Sequence, residues 1–273
     1  MKAAFNIPPT GTGNSSLSLL VEAGDHGISF LWFTKTPFLV KGLAAYNTVD
    51  GYTATDTRNI LNSQETYLTG LSSVTICYDF KESILIPQKY NHAAINEEAL
   101  SLVYGEDDTV ILNKDLVTSA SIYNHYRIPK QIEVVFAQQF PKADIFHTTS
   151  LQLEQLSQEK ELLYCIIYHN ILKAILYKDG KLQIVQQFSY TSPEDVSYHL
   201  LNVCEQFAVK PSETKLRLSG MVDEHSKLYV GLSNYFLNIC FENVADGLYA
   251  QEELKELPAH FFSHLTALAL CVS

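Results

Sequence analysis

The sequence predicts an α/β fold made of two tandem units, each with three strands, a helix and a fourth strand. Three observations predict it. Short apolar runs separated by Gly, Asn and Asp turns come in threes, over 17–46 and 162–190. Each trio is followed by a capped segment with apolar residues at helical spacing, and each such segment by one more strand of alternating character.

The second unit is the cleaner one. Leu162 to Tyr168 is a continuous apolar run, the pattern of a strand buried on both faces. His169-Asn170 makes a tight turn, and Ile171 to Tyr177 forms the next strand. Asp179-Gly180 is the dipeptide that best satisfies a primed hairpin turn, and Leu182, Ile184 and Phe188 continue a third strand. Ser192-Pro193-Glu194-Asp195 then reads as a helix start, with a Ser cap, Pro at the first position and acids in the first turn. Val196, Leu200, Val203, Cys204 and Phe207 give that helix one buried face, and Pro211 ends it. Leu216 and Leu218 alternate with Lys215 and Arg217 in the fourth strand, which stops at Ser219-Gly220.

The first unit repeats this order. Leu17 to Ala23, Ile28 to Phe33 and Leu39 to Tyr46 are its strands, with a turn at Gly24-Asp25-His26-Gly27. Thr53 and Asp56 have capping-box spacing, and Ile60, Leu61, Tyr67, Leu68 and Leu71 lie at helical intervals. Val74, Ile76 and Tyr78 form the fourth strand. Tyr46 matches Phe188 and Val74 matches Leu216 at one common offset, which reads as an internal duplication.

Between the units, Ser83 to Ile86 is a brief strand stopped by Pro87, Ile95 to Tyr104 a helix, and Glu106-Asp107-Asp108 a solvated turn. Thr109 to Asn113 and Ser119 to Tyr126 are strands, Pro129 starts a helix reaching Gln139, and Ala143 to Thr149 is a closing strand. After Gly220 the pattern predicts a helix through Asn234, a strand from Phe236 to Phe241, and a final helix opened by Pro258. The expected domains are residues 1–160, a first lobe with an insertion, and 161–273, a second lobe.

The formal charge of −11, with 19 Lys and Arg against 30 Asp and Glu, opposes nucleic-acid binding, since phosphate contacts need clustered cations. The five cysteines are unpaired in spacing and mostly inside apolar elements, as in a reducing compartment. The stretch from Met1 to Asn14 lacks an apolar signal core, and no apolar run approaches the roughly 20 residues that span a bilayer. The expectation is a cytoplasmic protein with no membrane span.

Three antiparallel strands, a crossover helix and a fourth strand parallel to the first make ribonuclease-H-like topology. Two such units in tandem resemble the actin-like ATPase superfamily. Short pieces narrow the resemblance: Gly27-Ile28-Ser29-Phe30, Leu85-Ile86-Pro87, Leu102-Val103-Tyr104-Gly105 and Leu216-Arg217-Leu218-Ser219-Gly220. With them the chain resembles an uncharacterised bacterial family of this fold, domain of unknown function 3822.

In that superfamily one hairpin loop per lobe, carrying Asp, Gly and hydroxyls, holds the phosphates of Mg-ATP. The first loop here, Asp25-His26-Gly27-Ile28-Ser29, has this form, so the resemblance makes Asp25, Gly27 and Ser29 candidate cofactor-binding residues; a plain turn is the other reading. The second loop, Tyr168-His169-Asn170-Ile171-Leu172, lacks the Asp, the Gly and the hydroxyls. Of the glycine pair expected for adenosine only Gly220 remains, a fourth candidate. Two of three nucleotide signatures are thus missing, which implies a degenerate site with no catalytic residue, no metal ligand and no required cofactor. Asp79, at the end of a strand, is a candidate base only if nucleotide binds. His260 and His264 have the i, i+4 spacing of zinc helices, but Phe261 stands where a catalytic Glu is needed, and a packing face is expected instead.

Two functional readings follow. One is a non-catalytic scaffold, a pseudo-ATPase that keeps the frame and binds a protein or peptide; relatives that recruit membrane-assembly proteins show the frame in this role. The other is an ATP-binding protein or phosphotransferase that grips nucleotide through the first hairpin. Self-association as a homo-dimer or filament is a third.

Overall fold

Both halves of the chain contain a trio of successive antiparallel strands because their turns are two residues long and their flanking runs are apolar. The computed structural model describes residues 3–10, 17–91, 93–245 and 247–273. Two compact units are present: Met1–Ser157 with Gly247–Leu254 and Leu268–Ser273, and Gln158–Asp246 with Lys255–Ala267. The second unit is therefore not one run to the end of the sequence. In the first unit, Tyr249 forms a β-bridge with Val40, and the Gln251 amide donates to the carbonyls of Pro8 and Lys41.

The first unit begins with β1 (Ala3–Ile7), β2 (Leu17–Gly24), β3 (Gly27–Lys35), β4 (Phe38–Asn47), α1 (Ala54–Ser63) and β5 (Ser73–Asp79). An insertion follows, with β6 (Ser83–Pro87), α2 (Ala93–Tyr104), β7 (Val110–Val117), β8 (Ile122–Pro129) and α3 (Lys130–Gln139), and then β9 (Asp144–His147) and α4 (Thr148–Gln155). The main sheet runs β1-β4-β3-β2-β5-β9, and the insertion has its own sheet, β6-β8-β7. β2 is antiparallel to β3 and parallel to β5, so it is central and buried along nearly its whole length. Phe30 and Trp32, stacked at 5.7 Å, meet Ile60 and Leu61 of α1 and Ile132, Val135 and Phe136 of α3 in the core. Each such side chain contributes on the order of 2–3 kcal/mol by leaving water.

The second unit repeats the order: β10 (Leu162–Ile167), β11 (Ile171–Lys178), β12 (Lys181–Ser189), α5 (Pro193–Gln206), β13 (Lys215–Gly220), α6 (Lys227–Ser233) and β14 (Asn238–Phe241). Its sheet runs β12-β11-β10-β13-β14, with β10 central and parallel to β13. Val196, Leu200, Val203 and Cys204 of α5 pack on Leu172, Ala174 and Leu176 of β11. Two short helices close the chain, α7 (Glu252–Lys255) and α8 (Ser263–Cys271).

Several expectations need correction. The first-unit helix stops at Ser63 instead of reaching Leu71. Gln64 is pinned there: its amide donates to the Tyr46 hydroxyl at 2.6 Å and to Asn6 at 3.2 Å, so Tyr67 and Leu68 reach the core through a tight 3₁₀ turn. That turn presents the Tyr67 carbonyl to the Trp32 indole N–H at 3.0 Å. The strand expected over Ala143 to Thr149 ends at His147, whose Nδ1 accepts from the Thr149 backbone N–H and caps α4. β1 was not foreseen. The helix after Gly220 is confined to Lys227–Ser233, its strand starts at Asn238, and the final helix begins at Ser263, five residues after Pro258. Cys77, Cys165 and Cys204 are buried, Cys240 half-buried and Cys271 exposed.

Candidate functional site

Two adjacent glycine positions let β2 and β3 close on a two-residue turn. Gly24 pairs with Gly27, leaving Asp25-His26 at the tip. At Gly27 the backbone has φ +137°, and a Cβ there would run into the Tyr46 carbonyl oxygen of β4; one at Gly24 would run into the Asp79 carbonyl oxygen of β5. Both glycines are accounted for by close strand approach.

The carboxyl ends of the parallel strands β2, β5 and β9 converge beside this turn. Glu22, from β2, and Asp79, from the end of β5, are fully buried acids in otherwise apolar runs. His26 lies between them, with Nε2 3.1 Å from Glu22 Oε2 and Nδ1 3.9 Å from Asp79 Oδ2. Thr148, the first residue of α4, donates its hydroxyl to Asp79 Oδ1. Burial opposes a charged imidazole, but Glu22, Asp79 and Asp25 outweigh it and raise the His26 pKa above its ordinary value. Asp25 accepts from the Lys81 backbone N–H at 2.9 Å; burial still raises its pKa, more than this bond and the Lys81 charge lower it. Burial, with Asp25 and Tyr78 nearby, pushes the Tyr52 hydroxyl far up, and that hydroxyl has no hydrogen-bond partner among the described residues. His147 uses both nitrogens: Nδ1 accepts from Thr149 N–H and Nε2 faces the Phe80 carbonyl at 3.1 Å, which makes it a neutral Nε2–H tautomer.

Of the residues singled out from the sequence, Asp25, Gly27 and Ser29 share this hairpin and Gly220 belongs to the second unit. Ser29 is buried within β3, paired with Glu22 and Ala45. Gly220 has φ +93°, and a Cβ there would meet the Ile167 carbonyl; its N–H donates to the His260 carbonyl at 2.8 Å. The second hairpin turns on His169-Asn170, with Tyr168 N–H donating to Ile171 O. His260 precedes α8 and stacks on Phe241 at 3.8 Å, while its Nε2 lies 2.6 Å from the Val222 carbonyl. His264 Nδ1 lies 3.2 Å from the Ser219 hydroxyl, which is 2.6 Å from that of Ser263. Glu106 and Asp108 are exposed, and Asp107 caps Thr109. Glu22, His26 and Thr148 were missed by motif reading. The available signal was an acid, Glu22, inside the apolar run Leu19-Leu20-Val21 and Ala23.

Chemically, the cluster holds a proton or a cation more readily than an anion, because three carboxylates surround one imidazole. Phosphate would need a magnesium ion to offset Asp25, and Asp25, Glu22 and Asp79 are the carboxylates placed near the turn. Among the described residues no group of three or more His, Cys, Asp or Glu is arranged to hold a metal ion. A separate cleft of about 310 Å³ lies at the opposite, amino end of β5, lined by Leu68, Val74, Phe140 and Lys142.

Comparison with known proteins agrees with the architecture. The model of a family described as "Protein of unknown function (DUF3822)" matches residues 11–239. No curated protein matches the chain. A Bacteroides thetaiotaomicron protein "with actin-like ATPase fold and unknown function" is similar at TM-score 0.75 and 16% identity, over 94% of this chain and 96% of that one. A chain of the PilM-PilN type IV pilus biogenesis complex is similar at TM-score 0.64 and 15% identity, over 95% and 99%. The ethanolamine utilization protein EutJ from Carboxydothermus hydrogenoformans is similar at TM-score 0.51 and 10% identity, over 97% and 92%. At these identities the likeness establishes the fold, an actin-like ATPase fold with ribonuclease-H-like units. No helix among the described residues is long and apolar enough to cross a membrane.

Proposed function

We propose, for a chain that belongs to the DUF3822 family and has the actin-like ATPase fold, that it is a binding protein that engages a protein or peptide partner and hydrolyses no nucleotide. One observation carries the reading: the groups that would cradle a phosphate are used inside the first unit. Asp25 accepts from Lys81 N–H, Gly27 makes room for the Tyr46 carbonyl, and Ser29 is buried in the sheet. The likeness to a chain from the PilM-PilN complex, a fold of this kind held in a protein assembly, supports the same reading.

A second reading is favoured by the buried cluster at the carboxyl ends of β2, β5 and β9, where open α/β sheets place ligands. On it, the protein binds Mg-ATP through Asp25 and the turn amides.

Thermal unfolding with and without millimolar Mg-ATP separates the two. A ligand at 100 times its dissociation constant stabilises by about 2.7 kcal/mol, or several degrees at roughly 2–4 °C per kcal/mol. The partner-binding reading expects no shift, in the native protein or in Asp25→Ala. A shift of that size that disappears in Asp25→Ala would replace it with the nucleotide reading.

A further inference from the structure

The last two parallel strands of the first-unit sheet start out of step. β5 begins at Ser73, whereas β9 begins at Asp144, opposite Thr75. Ser73 and Val74 therefore pair with Ser18 and Leu19 of β2 on one side, and β9 does not reach them on the other. Two buried side chains bound this step. Leu68 closes the 3₁₀ turn that follows α1, and Phe140 follows the last residue of α3. The cleft of about 310 Å³ lies here, at the lower end of the roughly 300–1,000 Å³ of small-ligand sites.

Its walls are apolar and only partly covered. Leu71, Val74 and Ala143 are half-buried, packed against the first-unit core and lining the cleft. The chain has 30 Asp and Glu, yet none is in the lining, whose one charge is Lys142. The Lys142 ammonium makes no ion pair or hydrogen bond among the described residues, and Asp144, two positions on, is exposed and outside the lining. The hydroxyl donors of the lining are already engaged: Ser72 donates to the Leu17 carbonyl at 3.1 Å and Ser73 to the Ser18 hydroxyl at 2.9 Å. A ligand thus meets apolar surface and one unneutralised cation.

We propose that this cleft binds a small monocarboxylate with a compact apolar body, its carboxylate on Lys142 and its body against Leu71, Val74 and Ala143. Burial of apolar area has no direction, so the walls supply affinity and the ammonium fixes which end points where. One negative charge fits better than two. The cleft offers a single cation and lies against the carboxyl end of α3, whose last carbonyls carry partial negative charge and disfavour a phosphate dianion. A cationic ligand of the same shape would meet Lys142 as a like charge. The site is at the amino end of β5 and Asp79 at its carboxyl end, so the inference is independent of what the first hairpin binds.

The test is NMR titration of the full chain with phenylacetate, phenethyl alcohol and phenethylamine, three probes of one apolar body and different charge, for the native protein and Lys142→Glu. Lys142 is exposed, and matching melting curves establish that the variant is folded. In the native protein, phenylacetate is expected to give saturable shifts at Val74, Ala143 and Lys142. It should bind at least about tenfold more tightly than phenethylamine, and more tightly than the alcohol. In Lys142→Glu the order of acid and amine should reverse. Phenylacetate that leaves these three signals unmoved at millimolar concentration would overturn the inference. So would an acid that binds no better than the alcohol or the amine, or a preference for the acid that persists in Lys142→Glu.

Discussion

The His26 imidazole sits 3.1 Å from the Glu22 carboxylate, one turn of hairpin away, and both side chains are sealed from water. Folding therefore draws a proton onto His26, because Glu22, Asp79 and Asp25 raise its pKa from the ordinary 6.5. The stability this group contributes is complete below pH 6.5 and is lost as pH rises through the higher folded pKa. Glu22→Gln should lower the His26 pKa, followed by its ring proton in NMR titration. It should also flatten that part of the stability curve and cost about 1–3 kcal/mol at pH 6 in urea unfolding. An unchanged His26 titration would show that the pair is not coupled.

Gly27 and Gly180 both have positive φ, but only Gly27 is walled in. A Cβ at Gly27 meets the Tyr46 carbonyl, while nothing lies within 4 Å of one at Gly180. Gly27→Ala is expected to destabilise by at least about 3 kcal/mol. Gly180→Ala, in the Asp179-Gly180 hairpin, should cost about 1 kcal/mol. Denaturant midpoints of the two variants measure the difference, and equal losses would refute the steric account.

The α5 start is a complete capping box. Ser192 accepts from Asp195 N–H, and the Asp195 carboxylate accepts from the backbone N–H groups of Thr191 and Ser192. Ser192→Ala should cost about 1 kcal/mol. Those bonds, the Thr191 N–H first, hold the Asp195 pKa down at about 2 from 3.8. Its contribution is therefore full above pH 3.8 and lost as pH falls toward 2. Asp195→Asn should flatten the acid limb of the stability curve: the variant is less stable than the native protein above pH 3.8, and the difference closes as pH falls toward 2.

Ser219 is a small hub at the end of β13. Its hydroxyl lies 2.6 Å from that of Ser263 and 3.2 Å from His264 Nδ1, and it accepts from His264 N–H at 3.3 Å. Ser219→Ala leaves these buried groups without it and should cost about 1–3 kcal/mol by chemical denaturation. Amide exchange should rise first at His264 and its neighbours; a change spread evenly over the chain would contradict the assignment.

Much of the fold was legible because its signals are local. Asp179-Gly180, the apolar run at 162–168, and the caps Thr53 and Ser192 each act within a few residues, and each lies where the pattern placed it. The end of α1 was not legible, because Gln64 is held by Asn6 and Tyr46 from far away in the chain. Thr148 and Thr149 are β-branched and read as strand, yet burial and the His147 cap make them the first turn of α4. At the candidate site the hairpin motif was visible and its surroundings were not.

By itself the sequence determined the element order of both units and the turns that join them, since periodicity and turn chemistry are short-range. Only the tertiary structure decided that Glu22, His26, Asp79 and Thr148 share one buried cluster and that Gly27 serves strand packing. It also decided that β12 ends its sheet. Those relationships join residues up to about seventy positions apart, as Asp79 and Thr148 are, or depend on which strand a sheet leaves outermost. Contacts of that range are set by how the strands pack, and no local pattern carries them.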